Sequence, residues 1–308
     1  MEEAVRRLES TFSPDKVAVT MTTSYPGWYS GELRSIGDTD KVRGDIALEM
    51  IRLGIDCGFN LVVSDFRSAQ AFMNELVHQP ITLAERVDLD RASGRRQVIT
   101  LGSKIPGVEI IIRTEPEKDS LLQSIDLVSH PILSGDADIV IPKRNPADFE
   151  RTYPAYMHES EIDANARFNR LLRMVNLRRI EDPDLDIFFG PTVIANRPEI
   201  LSLFEKDYEI RDGKVFTAGV RKYLAPGNFS NAQSFSVIEA LDQGLRVASV
   251  EVPFEYPARQ RKNELAREDE FMAKRREQKW GIVDEALSFI KYLRDPQNPK
   301  NVLVQTNK

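Results

Sequence analysis

Two carboxylates with a spacing suited to metal chemistry stand in the segment TEPEK at 114–118. The segment follows the apolar run VEIIIR (108–113), which we interpret as a buried strand, so Glu115 and Glu117 should lie at the carboxyl end of that strand. Hard divalent cations prefer oxygen ligands, and Mg²⁺ is commonly held by one or two carboxylates together with substrate phosphate oxygens. The alternative is a solvated acidic turn that caps the next helix, because the N-terminal end of the helix dipole also favours glutamate.

A loop rich in hydroxyl groups follows the first apolar run, VAVTM (17–21). Thr22, Thr23 and Ser24 lead from this run towards a Pro-Gly pair, and such an open loop is able to hydrogen-bond a ribose or a base, or to serve as a plain turn. Asp65 follows the run LVVS, where an acidic side chain is able to accept hydrogen bonds from a nucleoside. The alternative role of Asp65 is to cap the helix that follows it.

Arginines occur at two places where phosphate recognition is a reasonable interpretation. Arg95 and Arg96 lie near the start of a predicted helix, and the planar guanidinium fork binds phosphate oxygens in a bidentate manner. An exposed basic helix start is the alternative, although the helix dipole disfavours it. Arg259 and Arg275 belong to the stretch 257–280, whose many charges are equally typical of a salt-bridged, exposed helix.

The pair Asp136 and Asp138 reads as an Asp-x-Asp motif, but its place in the chain argues against a metal site. Both residues precede the predicted strand ADIVIP, so they should lie at the opposite edge of the sheet from the ligand, and we assign them structural roles. Lys143, Arg144 and Asn145 follow the same strand and are expected to face the site.

A polar stripe marks the helix predicted at 160–175. Glu161, Asn165 and Asn169 share one face of this helix at i, i+4 spacing. Solvated surface is the usual explanation of such a stripe, but neutral amides are less common there than Lys or Glu, so we interpret this face as directed towards an acceptor.

Alternating strands and helices must position all of these side chains. Strands are predicted for 17–21, 61–65, 108–113, 137–142 and 246–254, and helices for 45–59, 94–105, 120–133, 160–175, 234–244 and 263–279. This alternation favours an α/β fold with one mostly parallel sheet covered by helices on both faces. Ligands of such sheets bind at the carboxyl ends of the strands.

Composition narrows the class of protein. The chain has 308 residues with 42 Lys and Arg against 48 Asp and Glu, a net charge of −6 that argues against a general nucleic-acid binder. No apolar run approaches a membrane-spanning length, and the first nine residues lack the apolar core of a secretory signal. A single cysteine, Cys57, suits a reducing compartment, so we expect a soluble, cytoplasmic protein.

Several segments together resemble a known family. They are VAVTMTTSYPGW, LVVSD, GRRQVI, TEPEK, GDADIVIPKRN, NARFNRLL and FFGPTVIANR. Their order and spacing resemble the GT-A-type glycosyltransferases that use nucleotide-diphospho-sugars, including a branch with an EPEK segment. The resemblance covers about residues 15–260, which implies a GT-A-like, Rossmann-like domain over 1–260 and a C-terminal helical extension over 261–308.

The resemblance also implies a role for each candidate residue. Glu115 and Glu117 stand in the place of the metal-binding Asp-x-Asp motif and would hold Mg²⁺ or Mn²⁺. The predicted nucleotide-sugar contacts are Thr22, Thr23, Ser24, Asp65, Arg95, Arg96, Arg144, Gly190, Arg259 and Arg275. The place of the catalytic base of inverting members reads GNFSNAQ (227–233), without a carboxylate, which leaves Asp186 as the predicted catalytic carboxylate. Lys118 is the second predicted catalytic residue.

The function implied by the resemblance is the metal-assisted transfer of a sugar from a nucleotide diphosphate donor to a hydroxyl group of a small molecule or glycan. One alternative is a sugar-phosphate nucleotidyltransferase, although the loop SYPGW lacks the glycine-rich, basic character of that class. Another is a non-catalytic relative that binds a sugar nucleotide or a partner protein. No nucleic-acid partner and no membrane span are expected, and a homo-oligomer remains open.

Overall fold

Nine strands are present in the described part of the chain. The computed structural model describes residues 12–86, 91–206, 208–210, 234–294 and 303–305. The strands are β1 Val17–Thr23, β2 Asn60–Asp65, β3 Thr82–Glu85, β4 Ile110–Arg113, β5 Ile139–Arg144, β6 Thr192–Ala195, β7 Tyr208–Ile210, β8 Val247–Val252 and β9 Leu303–Gln305. Seven of them form one sheet, and β7 pairs with β9 in a separate two-stranded ladder.

Helices connect and cover these strands. They are α1 Thr39–Asp56, α2 Gln70–Val77, α3 Arg91–Ser103, α4 Ile125–Leu133, α5 Pro146–Thr152, α6 Ala155–Met174, α7 Pro198–Glu205, α8 Ser234–Asp242, α9 Ala258–Leu265 and α10 Glu268–Arg294. Short 3₁₀ turns precede β1 and α4. Within the described residues, no helix combines the length and the apolar character needed to cross a membrane.

The main sheet has the strand order β3-β2-β1-β4-β6-β5-β8. All neighbouring pairs are parallel except those of β6, which runs antiparallel to both β4 and β5. The carboxyl ends of six strands therefore meet at one edge of the sheet. The direction of chain progression reverses between β1 and β4, and such a reversal opens a crevice where ligands of α/β sheets bind.

Alternation along the strands creates two cores. Val17, Val19 and Met21 face one core with α1, α2 and α4, whereas Ala18 faces a second core with α3, α6 and α8. Successive side chains of a strand point to opposite faces, so a strand buried on both faces reads as one continuous apolar run. This confirms the predicted mostly parallel sheet with helices on both sides.

The structure corrects several element boundaries. The sequence pattern missed the edge strand β3, whose residues are only half-buried or exposed, and the antiparallel strand β6. The charged helix predicted at 263–279 is instead two helices, α9 and α10, and the predicted boundary at residue 260 falls inside α9. The segment 227–233, predicted to lack a catalytic base, lies outside the described residues.

The long helix α10 docks onto the body of the fold through its second half. It packs against α6 and α8, with Ala286 and Phe289 in the second core and the Phe289 ring stacked on Phe235 at a centroid distance of 4.2 Å. The same half of the helix carries Glu285, which is 4% exposed. Burial raises the pKa of the Glu285 carboxyl from 4.5 to about 8.

Glu285 should make stability depend on pH. Because its pKa is raised in the folded state, the folded protein binds the proton more tightly than the unfolded chain does. The contribution of this proton to the free energy of unfolding falls as pH rises from 4.5 to about 8. The slope is at most about 1.4 kcal/mol per pH unit. Glu285→Gln should therefore flatten the pH dependence of the free energy of unfolding measured in urea, and should be more stable than wild type at pH 8. The exposed Glu159→Gln is the control; parallel curves for wild type and Glu285→Gln would contradict this assignment.

Candidate functional site

A cavity of about 260 Å³ opens at the carboxyl edge of the sheet, where the chain order reverses between β1 and β4. Among the described residues that line it are four carboxylates: Glu115, Glu117, Glu161 and Glu264. Six cationic side chains also line it, and we call them the cation cluster: Arg43, Arg86, Arg95, Lys118, Arg144 and Arg275. In a chain with a net charge of −6, this is a local excess of positive charge.

Glu115 lies among cations at the end of β4. Its Oε1 atom is 3.5 Å from Arg113 Nη1 and 3.9 Å from Arg95 Nη2, and its Oε2 atom is 3.9 Å from Lys118 Nζ. Burial opposes ionisation, but the attraction of Lys118, Arg113 and Arg95 prevails and lowers the pKa of Glu115. The three separations exceed those of charge-assisted hydrogen bonds, so Glu115 neutralises its neighbours without binding any of them tightly.

Gly190 lies beside Glu115, behind the cavity wall. Its φ angle is +105°, and a Cβ atom placed there would lie 2.5 Å from Glu115 Oε2. The Gly190 carbonyl also accepts a hydrogen bond from the buried Arg113 guanidinium. Only glycine provides both this backbone conformation and this close approach.

Glu117 belongs to a different set of contacts. Its Oε1 atom accepts a hydrogen bond from the Tyr25 hydroxyl at 2.7 Å and lies 2.8 Å from Arg43 Nε. The attraction of Glu117 raises the pKa of Arg43, whereas burial first and then the Glu117 charge raise the pKa of Tyr25 well above its ordinary value. Glu117 therefore fixes the loop after β1 to helix α1.

The hydroxyl loop after β1 is held from beneath by Asp65. This carboxylate, at the end of β2, accepts hydrogen bonds from the Thr23 hydroxyl at 2.7 Å and from the Ser68 backbone amide at 3.0 Å. Ser24 donates from its hydroxyl to the Phe66 carbonyl at 2.9 Å. Thr22, Thr23 and Ser24 line the cavity, whereas Asp65 is 4% exposed and lies behind them.

Arg144 forms the opposite wall at the end of β5. Its backbone amide, Nε and Nη2 all donate to the Asp186 carboxylate, at 3.1, 2.8 and 2.7 Å, and Asn165 donates to the same carboxylate at 2.6 Å. Its Nη1 donates to Glu161 at 2.5 Å, and its guanidinium lies over the Phe149 ring at 3.7 Å. Burial lowers the pKa of Arg144, but Asp186 and Glu161 outweigh burial and raise it well above the ordinary value.

Asp186 does not line the cavity. Its four accepted hydrogen bonds use the lone pairs that a carboxylate offers, and the Arg144 contacts outweigh burial and lower its pKa. A general base needs a free oxygen directed at the substrate. We therefore infer that Asp186 positions Arg144, in place of the catalytic role expected from the sequence.

Lys118 projects into the cavity with few partners. Its ammonium lies 4.9 Å from the Phe189 ring centroid and 5.4 Å from that of Phe254, and only 14% of the side chain is exposed. Burial lowers its pKa, against the attraction of Glu115. The Lys118 ammonium makes no hydrogen bond to the described part of the chain, so its three N–H donors are available to a ligand.

The C-terminal helices complete the cavity. Arg275, from α10, lies 3.2 Å from Glu161 Oε1. Glu264, from α9, accepts a hydrogen bond from the Tyr256 hydroxyl at 2.7 Å. Arg275 and Glu264 each contact a residue outside these two helices, so the region beyond residue 260 contributes to the site.

The structure brings together ten of the residues selected from the sequence: Thr22, Thr23, Ser24, Arg95, Glu115, Glu117, Lys118, Arg144, Glu161 and Arg275. Asp65, Asp186 and Gly190 lie directly behind residues of the cavity wall. Arg96 and Arg259 do not line the cavity, and Arg259 pairs with Glu49 on the outer side of α1. These roles of individual residues in ligand binding stay predictions.

Sequence reasoning missed Arg43 and Arg86. Arg43 lies within an ordinary helical pattern, and Arg86 directly follows the edge strand β3, which was itself missed. The aromatic lining from Tyr153 and Tyr256 was missed as well. No local spacing marks these residues, because only the sheet topology brings them to one edge.

The Asp-x-Asp pair lies at the opposite edge of the sheet from the cavity. Asp138, at the amino end of β5, pairs with Arg246 at 2.8 Å and with Arg197. Asp136 accepts a hydrogen bond from Ser134. The direction of the strand thus decides which acidic pair is near the cavity.

The residues of the cavity do not fit a bound divalent cation. No group of three or more His, Cys, Asp or Glu side chains with metal-binding geometry occurs in the described ranges. Glu115 is surrounded by Arg95, Arg113 and Lys118, and Glu117 is engaged by Arg43 and Tyr25. This donor set fits an anion.

Comparisons with known proteins place the fold. No protein-family model matches the chain, and no curated protein sequence matches it. Solved structures do match, and the fold they define is that of GT-A-like nucleotide-diphospho-sugar transferases, as the sequence predicted.

Three of these structures have TM-scores of 0.50 or above. Glucosyl-3-phosphoglycerate synthase from Mycobacterium tuberculosis, in complex with Mg²⁺ and uridine diphosphate, has a TM-score of 0.50 at 11% identity, over 93% of this chain and 82% of that chain. Mannosyl-3-phosphoglycerate synthase from Rubrobacter xylanophilus gives 0.51 at 12% identity, over 97% and 85%. A mycobacterial protein gives 0.51 at 13% identity, over 97% and 86%. At these identities the likeness concerns the fold.

Asp186→Asn should destabilise the protein strongly. The change leaves the Arg144 guanidinium buried with one carboxylate partner fewer, and breaking a buried ion pair costs roughly 3–5 kcal/mol in the free energy of unfolding. Urea denaturation measures this loss. Asp184→Asn is the matched control, since Asp184 is half-exposed in its pair with Arg173 and should cost less than about 1 kcal/mol. Equal, small losses in both variants would show that the Asp186 pair does not stabilise the fold.

Proposed function

We propose that this protein is a GT-A-type glycosyltransferase that binds a nucleoside diphosphate sugar in the cavity between β1 and β4. The observation that carries this proposal is the cation cluster, which converges at the carboxyl edge of the sheet beside a loop of hydroxyl side chains. A diphosphate is the part of such a donor that requires concentrated positive charge. The GT-A-like fold of the structural neighbours supports the same class of donor.

The two ends of the cavity suit the two ends of the donor. Thr22, Thr23 and Ser24 offer hydroxyl and backbone groups to the nucleoside, and Arg95 and Lys118 lie next to them for the phosphates. In the transfer, the bond from the anomeric carbon to the diphosphate oxygen breaks with its electron pair on that oxygen, a bond to the acceptor oxygen forms, and the proton of the acceptor hydroxyl passes to the leaving diphosphate or to water. Negative charge then develops on the leaving diphosphate, where fixed cations stabilise it.

The opposite end carries charged groups of both signs, with Arg144 and Arg275 paired to Glu161 and Asp186, and it suits a polar acceptor with a hydroxyl group. Arg144 and Arg275 stand there, beside Tyr153 and Tyr256. The two named structural neighbours are synthases of hexosyl-3-phosphoglycerates, so small phosphorylated hydroxy acids are the first acceptors to test. Location in the cytoplasm and self-association stay predictions.

Nucleotide binding tests the proposal directly. At least one of ADP, CDP, GDP, TDP and UDP should bind in calorimetry in the presence of Mg²⁺, and Lys118→Met should raise its Kd by about 10- to 100-fold, because a charge-assisted contact is lost. Lys16→Met is the matched control, since Lys16 pairs with Glu109 at the exposed, opposite edge of the sheet. Absence of binding across the panel, or equal affinities in the two variants, would remove the cavity from nucleotide recognition.

Donor hydrolysis separates an enzyme from a binding protein. Glycosyltransferases slowly pass the sugar to water when the acceptor is missing, so the purified protein should release the nucleoside diphosphate from the donor whose base it binds. Loss of one group that stabilises a leaving charge costs about 10²- to 10³-fold in rate, so Lys118→Met should be nearly inactive while Lys16→Met remains active. A donor that binds and stays intact over days would indicate a sugar-nucleotide-binding protein without transferase activity.

A further inference from the structure

We propose that the cavity neutralises the donor diphosphate with its own arginine and lysine side chains and without a divalent cation. This inference rests on the proposed function and concerns how the same site works. It departs from the metal role predicted for Glu115 and Glu117. The argument starts from what surrounds each of these two carboxylates.

Glu115 occupies a cationic setting that repels a metal ion. Arg113, Arg95 and Lys118 lie between 3.5 and 3.9 Å from its oxygens. A Mg²⁺ ion bound to Glu115 would sit about 2.1 Å from a carboxylate oxygen and therefore within a few Å of the same three cations.

Glu117 is committed to other partners. Its carboxylate holds the Tyr25 hydroxyl at 2.7 Å and Arg43 at 2.8 Å, and it is 5% exposed. A metal ion bound to Oε1 of Glu117 would compete with the Tyr25 hydroxyl and the Arg43 cation for the same oxygen. Glu115 and Glu117 share no partner in the described structure. Glu117 pairs with Arg43 of α1, whereas Glu115 lies near Arg95 of α3 and Arg113 of β4, so the two carboxylates belong to separate ion-pair groups.

The cations themselves fit a diphosphate. The Lys118 ammonium has three donors and makes no hydrogen bond to the described residues, although only 14% of the side chain is exposed. Arg95 lines the same cavity and lies 3.9 Å from Glu115. Because the Lys118 ammonium is also 3.9 Å from Glu115, a phosphate oxygen is able to take a shorter contact with Lys118. Glu115 thus serves as a counter-ion that keeps the cations together before the donor arrives.

Calorimetry on the wild-type protein is the first test. A nucleoside diphosphate from the panel should bind in EDTA with a Kd within about threefold of the value in excess Mg²⁺ or Mn²⁺, or more tightly, since a metal complexed by the nucleotide competes with the cations. Binding seen only with the metal would overturn this inference and leave the proposed function standing. No binding in either buffer, for any nucleotide of the panel, would overturn both.

The Glu115→Gln variant distinguishes a counter-ion from a metal ligand by the sign of its effect. Removal of a negative charge next to the phosphate site should tighten metal-free binding by about three- to tenfold, whereas removal of a metal ligand weakens metal-dependent binding. Asp136→Asn, at the opposite edge of the sheet, should change the affinity by less than about twofold. Thermal denaturation establishes that both variants are folded. A loss of affinity in Glu115→Gln, restored by raising the Mn²⁺ concentration, would overturn the inference.

Discussion

Six cationic side chains meet at one edge of the sheet, and their mutual repulsion is the constraint that the surrounding residues satisfy. Two unit charges 4 Å apart near a protein surface interact by about 4 kcal/mol, so such a cluster requires counter-ions within contact distance. The structure provides them one by one: Glu117 for Arg43, Glu115 for Arg95 and Lys118, Asp186 and Glu161 for Arg144. The acidic residues of the site therefore explain how the positive charge can exist there before any ligand binds.

Much of the fold could be predicted because the sheet is buried on both faces. The predicted strands 17–21, 61–65 and 108–113 contain the apolar runs VAV, LVV and III, and each of these runs lies within a strand of the structure. The rule that ligands bind at carboxyl ends of parallel strands then placed Thr22, Glu115 and Arg144 near one another without any coordinates. Strands at the margin of this pattern were missed, since β3 is a half-exposed edge strand and β6 is a four-residue strand that follows a Gly-Pro turn.

The pairing of charges could not be predicted from the sequence. Asp186 looked like an available carboxylate because its partner, Arg144, stands 42 residues earlier in the chain. Tyr25 and Glu117 are 92 residues apart, and nothing local relates them. The sequence order, by contrast, shows which residues precede a strand and which follow it. Asp136 and Asp138 stand before or at the start of the predicted strand, so they could be assigned to the opposite edge. The sequence thus located the site, whereas tertiary contacts decide which of its charged groups remain free to act.

The anchoring of α10 has a consequence for anyone who alters the end of the chain. The helix is fixed at one part by Phe289 on Phe235 and presents Phe271 and Arg275 to the cavity at another, some 15 residues away. The apolar contact at Phe289 therefore holds the charged part of the helix, with Arg275, in place at the cavity. Trimming the chain after α9, or fusing a bulky domain that pulls α10 away from Phe235, would open the Arg275 side of the cavity to solvent while the seven-stranded sheet stays intact. Good expression and a normal β-sheet signal in a spectrum therefore do not show that a shortened form retains its binding site.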